Sequence, residues 1–489
     1  MQVKIYINGE WQMQEKERLA SLINPANGTS IGTTAMATAS DAENAISSAN
    51  QAYNYGEWSA FPPSERAVYL LQIADQLENR KEEISKWETR NNGKPLRETH
   101  ADVEAASECF RYYAGLISST DGYTFTSGTE IQGLVTYESI GVCGLIIPWN
   151  HPILITAWKT APALAAGNTI VLKPSEYTPI SAYLLYDIFD QVGLPKGVAN
   201  LIPGDGEEVG ATITNSTAID KISFTGGTET GKKIMAAAAN NITNVTLELG
   251  GKSPVIVFDD ADIEHAVDHA LYAIYFGSGQ VCSAGSRILV EESVYERFSD
   301  HFVARAKQIR VGPGEADGTE MGPLYTEAHM NKVLADIKRG EEEGATLRCG
   351  GNRMYGDDLD HGFFVAPTVF TDVNKDMSIV QEEIFGPVVV IQKFTQENEA
   401  IALANETKYG LAAAVFTGDS AKGMRVIRGV KAGLTGINNY GMGDVQAPWG
   451  GPKMSGIGRS LGPDGLKEFQ EAKQINVSLN NEKLGWFSN

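Results

Sequence analysis

The residue best suited to covalent chemistry is Cys282, in the segment FGSGQVCSAGSR at 276–287. Its neighbours are mostly small residues that let other groups approach the sulfur, whereas free cysteines are otherwise among the most buried residue types. A thiolate is the strongest side-chain nucleophile, but a free thiol with a pKa near 8.5 is only about 3% ionised at pH 7 and needs help from its surroundings or an adjacent base. We interpret Cys282 as a reacting thiol; the alternative is a small buried hydrophobic residue.

Five strand-like segments precede this cysteine and alternate with helical ones. They are CGLIIP, NTIVLKP, VANLIPG, DKISFTGG and NVTLELGG, between 143 and 251. Nearly continuous apolar strands separated by helices predict a parallel sheet covered on both faces, and ligands bind beyond the carboxyl ends of such strands. The candidate residues at these predicted ends are Asn150, Lys173, Glu176, Gly204, Gly226 and Glu248.

A second region of the same character, from about 250 to 450, contains Cys282 itself. Its strand-like segments are SPVIVFDD, RILVEE, FFVAPTVF, PVVVIQKF and LAAAVFTG, which predict a second α/β domain. Weak alternation at 124–138 predicts a protruding strand pair. The alternating segment AKQINVSLN near the end of the sequence either pairs with it or completes a sheet in another subunit.

The first 117 residues have the pattern of a scaffold. Residues 3–11 predict a short strand with a hairpin turn, and Ser40 followed by Glu43 predicts a capping box at the start of a helix. The prolines at 62–63 open another helix with an apolar stripe.

The charge balance argues against some classes of partner. With 61 acidic and 40 basic residues the net charge is −21, which repels nucleic acid and anionic membranes and favours a soluble protein acting on small molecules. The N-terminus lacks a secretory pattern and no apolar run approaches the length of a membrane span, so the cytoplasm is the expected location.

The spacing of cysteines and histidines predicts neither disulfides nor a metal site. The cysteines are widely separated and unpaired, as in proteins of a reducing compartment; they are Cys109, Cys143, Cys282 and Cys349. His265 and His269 are four residues apart, as on one helix face, but no third ligand accompanies them.

A glycine-rich segment, FTGGTETGKK at 224–233, follows a predicted strand and opens a helix, where backbone amides and the helix dipole bind phosphate. It is close to a nucleoside-triphosphate loop, but Lys233 stands where that loop needs Ser or Thr for magnesium, so an NTPase is a rival hypothesis. The glycines of PGDGEEVG, at 204, 206 and 210, are spaced more loosely than a dinucleotide fingerprint.

The segment KPSE at 173–176 places a cation and a carboxylate together at a predicted strand end. A carboxylate there can accept hydrogen bonds from ribose hydroxyls and would repel a 2′-phosphate, which favours NAD over NADP. The alternative is an exposed surface pair of Lys173 and Glu176, which would contribute little to stability.

Seven motifs, in order and at family-like spacing, resemble the NAD(P)-dependent aldehyde dehydrogenase superfamily. They are PWN at 148–150, KPSE at 173–176, FTGG at 224–227, ELGGK at 248–252, GQVCSAGSR at 279–287, EEIFGPV at 382–388 and PWGGPKMSGIGR at 448–459. The resemblance extends over essentially the whole chain. GQVCSAGSR together with QAPWGG is most similar to the betaine aldehyde dehydrogenase branch.

The resemblance implies an α/β, aldehyde dehydrogenase-like fold with two doubly wound parallel-sheet domains and a small β oligomerisation domain. It assigns residues 1–117 and 140–249 to NAD binding, 250–452 to catalysis, and 118–139 with 453–489 to oligomerisation. The expected assembly is a homodimer or a homotetramer.

The resemblance also implies a reaction: NAD(P)+-dependent oxidation of an aldehyde to its carboxylic acid through a thiohemiacetal and a thioester on Cys282. Glu248 would be the general base and Asn150 the oxyanion donor, with Lys159 in a proton relay. Chemistry supports these roles, because donors fixed at a developing oxyanion are typically worth about 3 to 4 kcal/mol each. A carboxylate beside an apolar strand would be partly desolvated and a stronger base, which argues for hydrolysis over transfer to coenzyme A.

The cofactor implied by the resemblance is NAD, with NADP as the alternative. The residues that it assigns to cofactor binding are Ile147, Pro148, Trp149, Lys173, Ser175, Glu176, Gly206, Gly210, Phe224, Thr225, Gly226, Gly227, Glu248, Leu249, Gly250, Glu383 and Phe385.

The aldehyde would lie, by resemblance, beside Asn150, among His151, Trp158, Phe276 and Trp449. Aromatic faces attract a quaternary ammonium group by about 0.5 to 2 kcal/mol per ring, which suits betaine aldehyde. His151 stands where that branch often has Tyr, so other small aliphatic, amino or aromatic aldehydes remain alternatives.

Three residues depart from the family pattern. Ser460 replaces a Glu thought to relay protons with a Lys at the position of Lys159, Gly436 replaces a common Trp, and Pro452 replaces an aromatic or aliphatic residue. A relative that kept the fold but lost the chemistry is a further rival. The joint presence of Cys282, Glu248 and Asn150 argues against it.

Overall fold

The computed structural model describes residues 1–119, 122–441, 443–480 and 482–487, which form four sheets and the helices that cover them. The strands, in chain order, are β1 (Gln2–Val3), β2 (Ile5–Ile7), β3 (Glu10–Gln12), β4 (Leu19–Ile23), β5 (Ser30–Ala35), β6 (Tyr123–Ser127), β7 (Ile131–Ser139), β8 (Val142–Ile146), β9 (Thr169–Lys173), β10 (Ala199–Leu201), β11 (Lys221–Thr225), β12 (Asn244–Glu248), β13 (Pro254–Val257), β14 (Arg287–Glu291), β15 (Thr346–Cys349), β16 (Thr368–Thr371), β17 (Val388–Phe394), β18 (Ala412–Phe416), β19 (Leu434–Ile437), β20 (Gly456–Ile457) and β21 (Gln470–Ser478). The helices are α1 (Ala39–Tyr55), α2 (Pro63–Asn79), α3 (Lys81–Asn92), α4 (Leu96–Ile117), α5 (Pro152–Ala165), α6 (Ile180–Gln191), α7 (Ala211–Asn215), α8 (Thr228–Ala239), α9 (Ile263–Tyr275), α10 (Tyr295–Ala306), α11 (Glu327–Glu342), α12 (Ser378–Gln381), α13 (Glu397–Asn405), α14 (Ser420–Gly429) and α15 (Gly462–Lys467).

The first large sheet has the order β20-β12-β11-β8-β9-β10-β2-β3. Its five central strands are the predicted ones and are parallel, while β2, β3 and β20 add antiparallel edges. Both faces are covered, as alternate residues of β8 show. Cys143 and Leu145 join a core with α2, α4, α5 and α6, whereas Val142 and Ile146 join one with α1, α7 and α8. This two-sided burial is why the strands are apolar throughout.

The second large sheet has the order β15-β16-β17-β14-β13-β18-β19, parallel except for β15. The five segments predicted for this region correspond to β13, β14, β16, β17 and β18. Val255 and Val257 of β13 pack with α9 and α10, and Ile256 faces the opposite core with α13 and α14. The sheet is therefore also covered on both faces.

A three-stranded antiparallel sheet, β21-β7-β6, confirms that the final strand pairs with the predicted strand pair. All nine residues of β21 pair with β7. The other edge of β21 lies at the margin of this sheet, and the apolar side chains of Ile475 and Val477 on it are exposed. An edge with exposed apolar residues is a ready surface for another chain.

Three features differ from the sequence expectation. The capping box of α1 uses Thr38 and Asp41, not Ser40 and Glu43, because Thr38 is the last extended residue and the two side chains cap each other's backbone N–H. The short strand β20, from the segment assigned to oligomerisation, pairs with β12 of the first sheet. A further sheet, β1-β5-β4, was not predicted.

The topology brings the predicted chemistry to one cleft. The carboxyl ends of β8, β11 and β12 lead to Asn150, Thr225 and Glu248, and the loop between α9 and β14 carries Cys282 from the second domain. Within the described ranges, no helix is long and apolar enough to cross a membrane.

Candidate active site

Cys282 follows a tight turn at the end of α9. Residues 277–279 all have positive φ, and a Cβ on Gly279 would lie 2.1 Å from the carbonyl oxygen of Gly386, so only glycine fits there. The half-buried cysteine lines a cavity of about 250 Å³ together with Asn150 and Glu248. Burial raises the pKa of the Cys282 thiol to about 12, reinforced by the charges of Glu383 and Glu248. The resting thiol is therefore protonated, and attack requires removal of its proton.

Asn150 is fixed directly beside the cysteine loop. Its side-chain amide donates to the carbonyl oxygen of Gln280 at 2.9 Å, while Asn92 donates to the carbonyl oxygens of Trp149 and Asn150 at 2.7 and 3.2 Å. A primary amide has two N–H groups, so one remains for a ligand in the cavity. The amide is thus held where it could contact an oxyanion formed on Cys282.

Replacing Asn150 by alanine is expected to lower kcat for aldehyde oxidation by about 10²- to 10³-fold, the usual effect of losing one oxyanion donor. Steady-state kinetics with saturating aldehyde would measure this loss. Asn54→Ala, which removes an exposed amide bonded within its own helix, is the matched control and should leave kcat unchanged. A kcat for Asn150→Ala within about twofold of wild type would contradict the assignment.

Glu248 ends β12 and is buried against Ser460. The backbone N–H and the hydroxyl of Ser460 both donate to Oε1 of Glu248 at 3.1 Å, and Oε2 has no hydrogen-bond partner within the described part of the chain. Burial raises the pKa of Glu248 to about 8, against the charge of Lys159. Once ionised, this carboxylate binds a proton more tightly than an ordinary glutamate does.

Lys159 is buried and donates to the hydroxyl of Ser223 at 2.9 Å. Burial lowers the pKa of Lys159, although the charge of Glu248 acts in the opposite direction. Ser460, the departure from the family pattern, thus contacts Glu248 itself. Where the family pattern has a second carboxylate, this chain has a neutral side chain that donates a hydrogen bond to Glu248.

The residues predicted to bind the cofactor fall into three groups. Those that line the cavity with Cys282 are Pro148, Trp149, Thr225, Gly226, Gly227, Glu248, Leu249, Gly250, Glu383 and Phe385. Five others lie outside this cavity: Lys173, Ser175 and Glu176 at the carboxyl end of β9, and Gly206 and Gly210 in the helical turn after β10. Ile147 and Phe224 are buried in the cores, where the Phe224 ring packs beside Gly226.

The cavity has the features that a dinucleotide requires. A Cβ on Gly250 would lie 2.1 Å from Oε2 of Glu383, and the Cβ direction of Gly227 faces open space. Glu383 also accepts the backbone N–H of Gly251 at 3.0 Å, and burial raises its pKa to about 7. A carboxylate over glycine at the carboxyl ends of parallel strands suits ribose hydroxyls.

The second group forms an ion pair at the end of β9. Nζ of Lys173 lies 3.6 Å from Oε2 of Glu176 and donates to the carbonyl oxygen of Pro174 at 3.1 Å. A Cβ on Gly210 would lie 3.8 Å from Cδ of Lys173, so the loop after β10 closes over this lysine. The pair is partly buried and is not a freely solvated surface contact.

Three residues at or near the cavity were not identified as site residues from the sequence: Tyr325, His329 and Lys332. The rings of Trp149 and Tyr325 stack at 3.5 Å, and Nε2–H of His329 donates to the carbonyl oxygen of Phe385 at 2.7 Å. Phe385 has a left-handed backbone, with φ 63°. His329 and Lys332 both line the cavity from α11, whose sequence carries no motif that would have revealed them.

The predicted aldehyde residues form two aromatic contacts. The rings of Trp158 and Trp449 lie 4.9 Å apart and pack in the same apolar cluster as Cys282. The rings of His151 and Phe276 are nearly parallel, with centroids 6.0 Å apart. His151 directly follows Asn150 in the sequence, and Phe276 precedes the loop that carries Cys282.

A buried cluster of charges, not predicted from the sequence, fixes His151. Its Nδ1 lies 2.9 Å from Oδ2 of Asp102, which Lys94 also contacts, and Lys94 donates to Glu88 at 2.9 Å. Burial opposes ionisation, but the opposite charges outweigh it and keep the pKa of Lys94 high and that of Asp102 low. Glu88 also accepts the backbone N–H of Ile153 at 3.1 Å. The cluster therefore holds the segment next to Asn150.

Replacing Lys94 by methionine is expected to lower the free energy of unfolding by about 3 to 5 kcal/mol, because two buried carboxylates lose their cation. Urea unfolding followed by circular dichroism would measure it. The matched control is Lys81→Met, which breaks the more exposed pair with Glu104 and should cost at most about 1 kcal/mol. Equal losses in the two variants would contradict the role of the cluster.

The other departures from the family pattern have local explanations. A Cβ on Gly436 would lie 2.1 Å from the carbonyl oxygen of Asn439, so the turn after β19 leaves no room for a side chain. Pro452 packs near Gly410. Neither residue lines the cavity of Cys282.

Comparison with known proteins gives one consistent result. The sequence model of the aldehyde dehydrogenase family matches residues 11–475. Betaine aldehyde dehydrogenase from Bacillus subtilis (strain 168) is 46% identical over 489 residues, covering 100% of both chains. Aminoaldehyde dehydrogenase 2 from Zea mays is 42% identical, covering 99% of this chain and 97% of the relative.

Solved structures agree with the predicted fold class. Betaine aldehyde dehydrogenase from Staphylococcus aureus in complex with NAD+ has a TM-score of 0.97 and 45% identity, covering 99% of this chain and 96% of that chain. The expectation of an α/β fold of this type is confirmed.

Proposed function

Because the chain belongs to the aldehyde dehydrogenase family, we propose that it oxidises an aldehyde to the carboxylic acid with NAD as the oxidant. The observation that carries this proposal is the single cavity lined by Cys282, Asn150, Glu248 and Glu383. It combines a nucleophile, an oxyanion donor, a base and a carboxylate suited to ribose. The rival hypothesis, an NTPase with a phosphate-binding loop, does not explain why Cys282 lies in this cavity.

The first step is attack by the sulfur of Cys282 on the aldehyde carbon. The thiol passes its proton to solvent water, a carbon–sulfur bond forms, and one electron pair of the carbonyl moves onto oxygen. The free N–H of Asn150 and the backbone N–H of Cys282 stabilise that oxyanion. NAD, when bound, supplies the acceptor for the hydrogen that leaves carbon with its bonding electron pair, which raises the carbon to the oxidation level of a thioester.

The second step is hydrolysis of the thioester. Glu248 takes a proton from water, the oxygen bonds to the acyl carbon, and the carbon–sulfur bond breaks to release the acid and restore the sulfur of Cys282. The unpartnered Oε2 of Glu248 is the acceptor available for that proton, while Ser460 holds Oε1. Hydrolysis therefore needs the ionised form of Glu248.

NAD is proposed over NADP because the carboxylate of Glu176 would repel a 2′-phosphate. We expect Glu176→Ala to reduce the ratio of kcat/KM for NAD to that for NADP by about tenfold, which corresponds to about 1.4 kcal/mol of like-charge repulsion removed. Initial rates with each cofactor would measure the ratio. Glu43→Ala, an exposed carboxylate of the same domain, is the control, and an unchanged ratio in Glu176→Ala would contradict the proposal.

For the substrate, we propose an aldehyde with a quaternary ammonium group, of the betaine aldehyde kind. The indoles of Trp158 and Trp449, which contact each other at a tilt in the same apolar cluster as Cys282, support it, because aromatic faces attract such cations. The second candidate is another small aliphatic, amino or aromatic aldehyde. His151, a polar ring in the wall, favours that alternative.

The test is the formation of reduced nicotinamide, followed by absorbance, with betaine aldehyde, propanal and benzaldehyde. The proposed activity predicts turnover with at least one of them, and the proposed substrate predicts the largest kcat/KM for betaine aldehyde. Higher kcat/KM for both uncharged aldehydes would contradict the cation preference. ATP hydrolysis without aldehyde oxidation would overturn the activity itself.

We also propose a homodimer or homotetramer in the cytoplasm. The exposed apolar edge of β21 supports assembly through the three-stranded sheet. Sedimentation of the purified chain would give the number of subunits, and a monomer at micromolar concentration would contradict this part of the proposal.

A further inference from the structure

The two histidines of α9, which the sequence left without a function, hold the backbone that follows β19. Nε2–H of His265 donates to the carbonyl oxygen of Asn438 at 2.8 Å, and the backbone N–H of Tyr440 donates to Nδ1 of His269 at 3.2 Å. The two imidazole rings contact each other edge to face, with centroids 4.5 Å apart. Residues 438–440 are therefore anchored to α9.

From this anchored turn, the side chain of Tyr440 reaches the loop that carries the nucleophile. Its hydroxyl donates to the carbonyl oxygen of Ser283, the residue after Cys282. Burial raises the pKa of Tyr440, so the hydroxyl keeps its proton and remains a donor. A Cβ on Gly285 would lie 3.4 Å from Cε2 of the Tyr440 ring, so the ring also packs against the same loop.

The nucleophile loop is held on both sides of the sulfur. Upstream, Asn150 donates to the carbonyl oxygen of Gln280 at 2.9 Å, and downstream the Tyr440 hydroxyl holds Ser283. Between these points, the carbonyl oxygen of Cys282 lies only 2.4 Å from where a Cβ on Gly251 would be. Of these three constraints, the Tyr440 contact is the one made by a side chain that the proposed mechanism does not use and that does not line the cavity.

The orientation of Ser283 matters for the reactivity of the thiol. Burial and the carboxylates of Glu383 and Glu248 raise the pKa of Cys282, whereas the backbone N–H groups of Ser283 and Cys282 act to lower it. The N–H of Cys282 is also the second oxyanion donor in the proposed reaction. A shift of the peptide groups around Ser283 would weaken both effects.

We propose that Tyr440, anchored by His265 and His269, is a positioning residue that fixes the loop of Cys282 through the carbonyl of Ser283. The proposal rests on the proposed function only in assigning Cys282 as the nucleophile. It gives the histidine pair a structural reason other than metal binding. It also links the turn after β19 to the reacting sulfur.

The test is Tyr440→Phe, which removes only the hydroxyl. We expect kcat for aldehyde oxidation to fall by about 10- to 100-fold, because misplacement by about 1 Å costs up to about 10²-fold, with KM for NAD nearly unchanged. The rate at which iodoacetamide alkylates Cys282, measured without cofactor as a function of pH, should have its midpoint at a higher pH than in the wild type. The matched control is Tyr275→Phe, which removes a buried hydroxyl that has no hydrogen-bond partner among the described residues and should leave both measurements unchanged.

Wild-type kcat and a wild-type alkylation profile in folded Tyr440→Phe would overturn the proposal. Should that variant not fold, His269→Ala decides, because it keeps the hydroxyl and releases only the backbone of Tyr440. We then expect smaller changes in the same direction, with kcat lowered by about three- to tenfold and the alkylation midpoint moved to higher pH. A wild-type alkylation profile in His269→Ala would overturn the proposal. Because alkylation needs neither aldehyde nor NAD, a wild type without aldehyde oxidation would contradict the proposed function while leaving this comparison intact.

Discussion

Replacing Cys282 by alanine is expected to lower kcat for NAD-dependent aldehyde oxidation by about 10⁴-fold or more, because no covalent intermediate can form. The other thiols cannot take over, since Cys109, Cys143 and Cys349 are buried in the cores away from the cavity. Cys282→Ser should be nearly as inactive, since a hydroxyl without a paired base is a poor nucleophile. Absorbance of reduced nicotinamide would measure both.

Cys349→Ala is the matched control, because it removes a thiol of the same domain that donates to the carbonyl oxygen of Pro367 and does not line the cavity. It should keep wild-type kcat. Mass spectrometry of the wild type after mixing with aldehyde and NAD should detect an acyl group on Cys282. Activity of Cys282→Ala within tenfold of wild type would disprove the nucleophile.

The strands of the two large sheets were predictable because burial on both faces requires a continuous run of apolar residues, which is visible in the sequence. In β8 and β13 consecutive residues face opposite cores, so every position is apolar and the run stands out from its surroundings. The rule that ligands bind at the carboxyl ends of parallel strands then placed Asn150 and Glu248 near each other. Motif resemblance added Cys282 from the second domain, which no local pattern could have joined to them.

The rest of the site depends on packing between distant segments. Lys94 and Asp102 read as ordinary helix-end and surface charges in the sequence, yet they meet His151 in the interior. Lys94 contacts Glu88 and Asp102 once α3 and α4 have packed together, and His151 joins them from the loop before α5. The residues next to a charged side chain in the sequence do not reveal which groups it contacts in the fold or whether it is buried.

The same limit applies to the surroundings of Glu248 and to the start of α1. Ser460 is 212 residues from Glu248, and only the pairing of β20 with β12 brings it close. Thr38 and Ser40 are both acceptable caps by residue type, and the backbone conformation of Thr38 decides between them. Spacing rules locate such features to within a few residues, and tertiary contacts select one.

Replacing Glu248 by glutamine is expected to lower steady-state kcat by about 10²- to 10⁴-fold while leaving a burst of reduced nicotinamide in the first turnover. Glutamine has the size of glutamate and can still accept from Ser460, but it cannot take a proton from water. The thioester would then accumulate on Cys282. Stopped-flow absorbance would separate the burst from the slow phase, and loss of the burst together with turnover would assign Glu248 to the attack step.

The pH dependence gives an independent check on the same residue. Burial raises the pKa of Glu248 to about 8, so the carboxylate is protonated and inactive as a base below that pH. In the wild type, kcat should therefore rise with pH, with a midpoint near 8, and level off above it; in Glu248→Gln this rise should be absent. Lys159→Met is the informative companion, because loss of the lysine charge raises the pKa of Glu248 further and should move the midpoint to higher pH. A midpoint near 4.5 in the wild type would contradict the raised pKa of Glu248, since an ordinary glutamate titrates near 4.5. The same rise in Glu248→Gln would show that another group is the base.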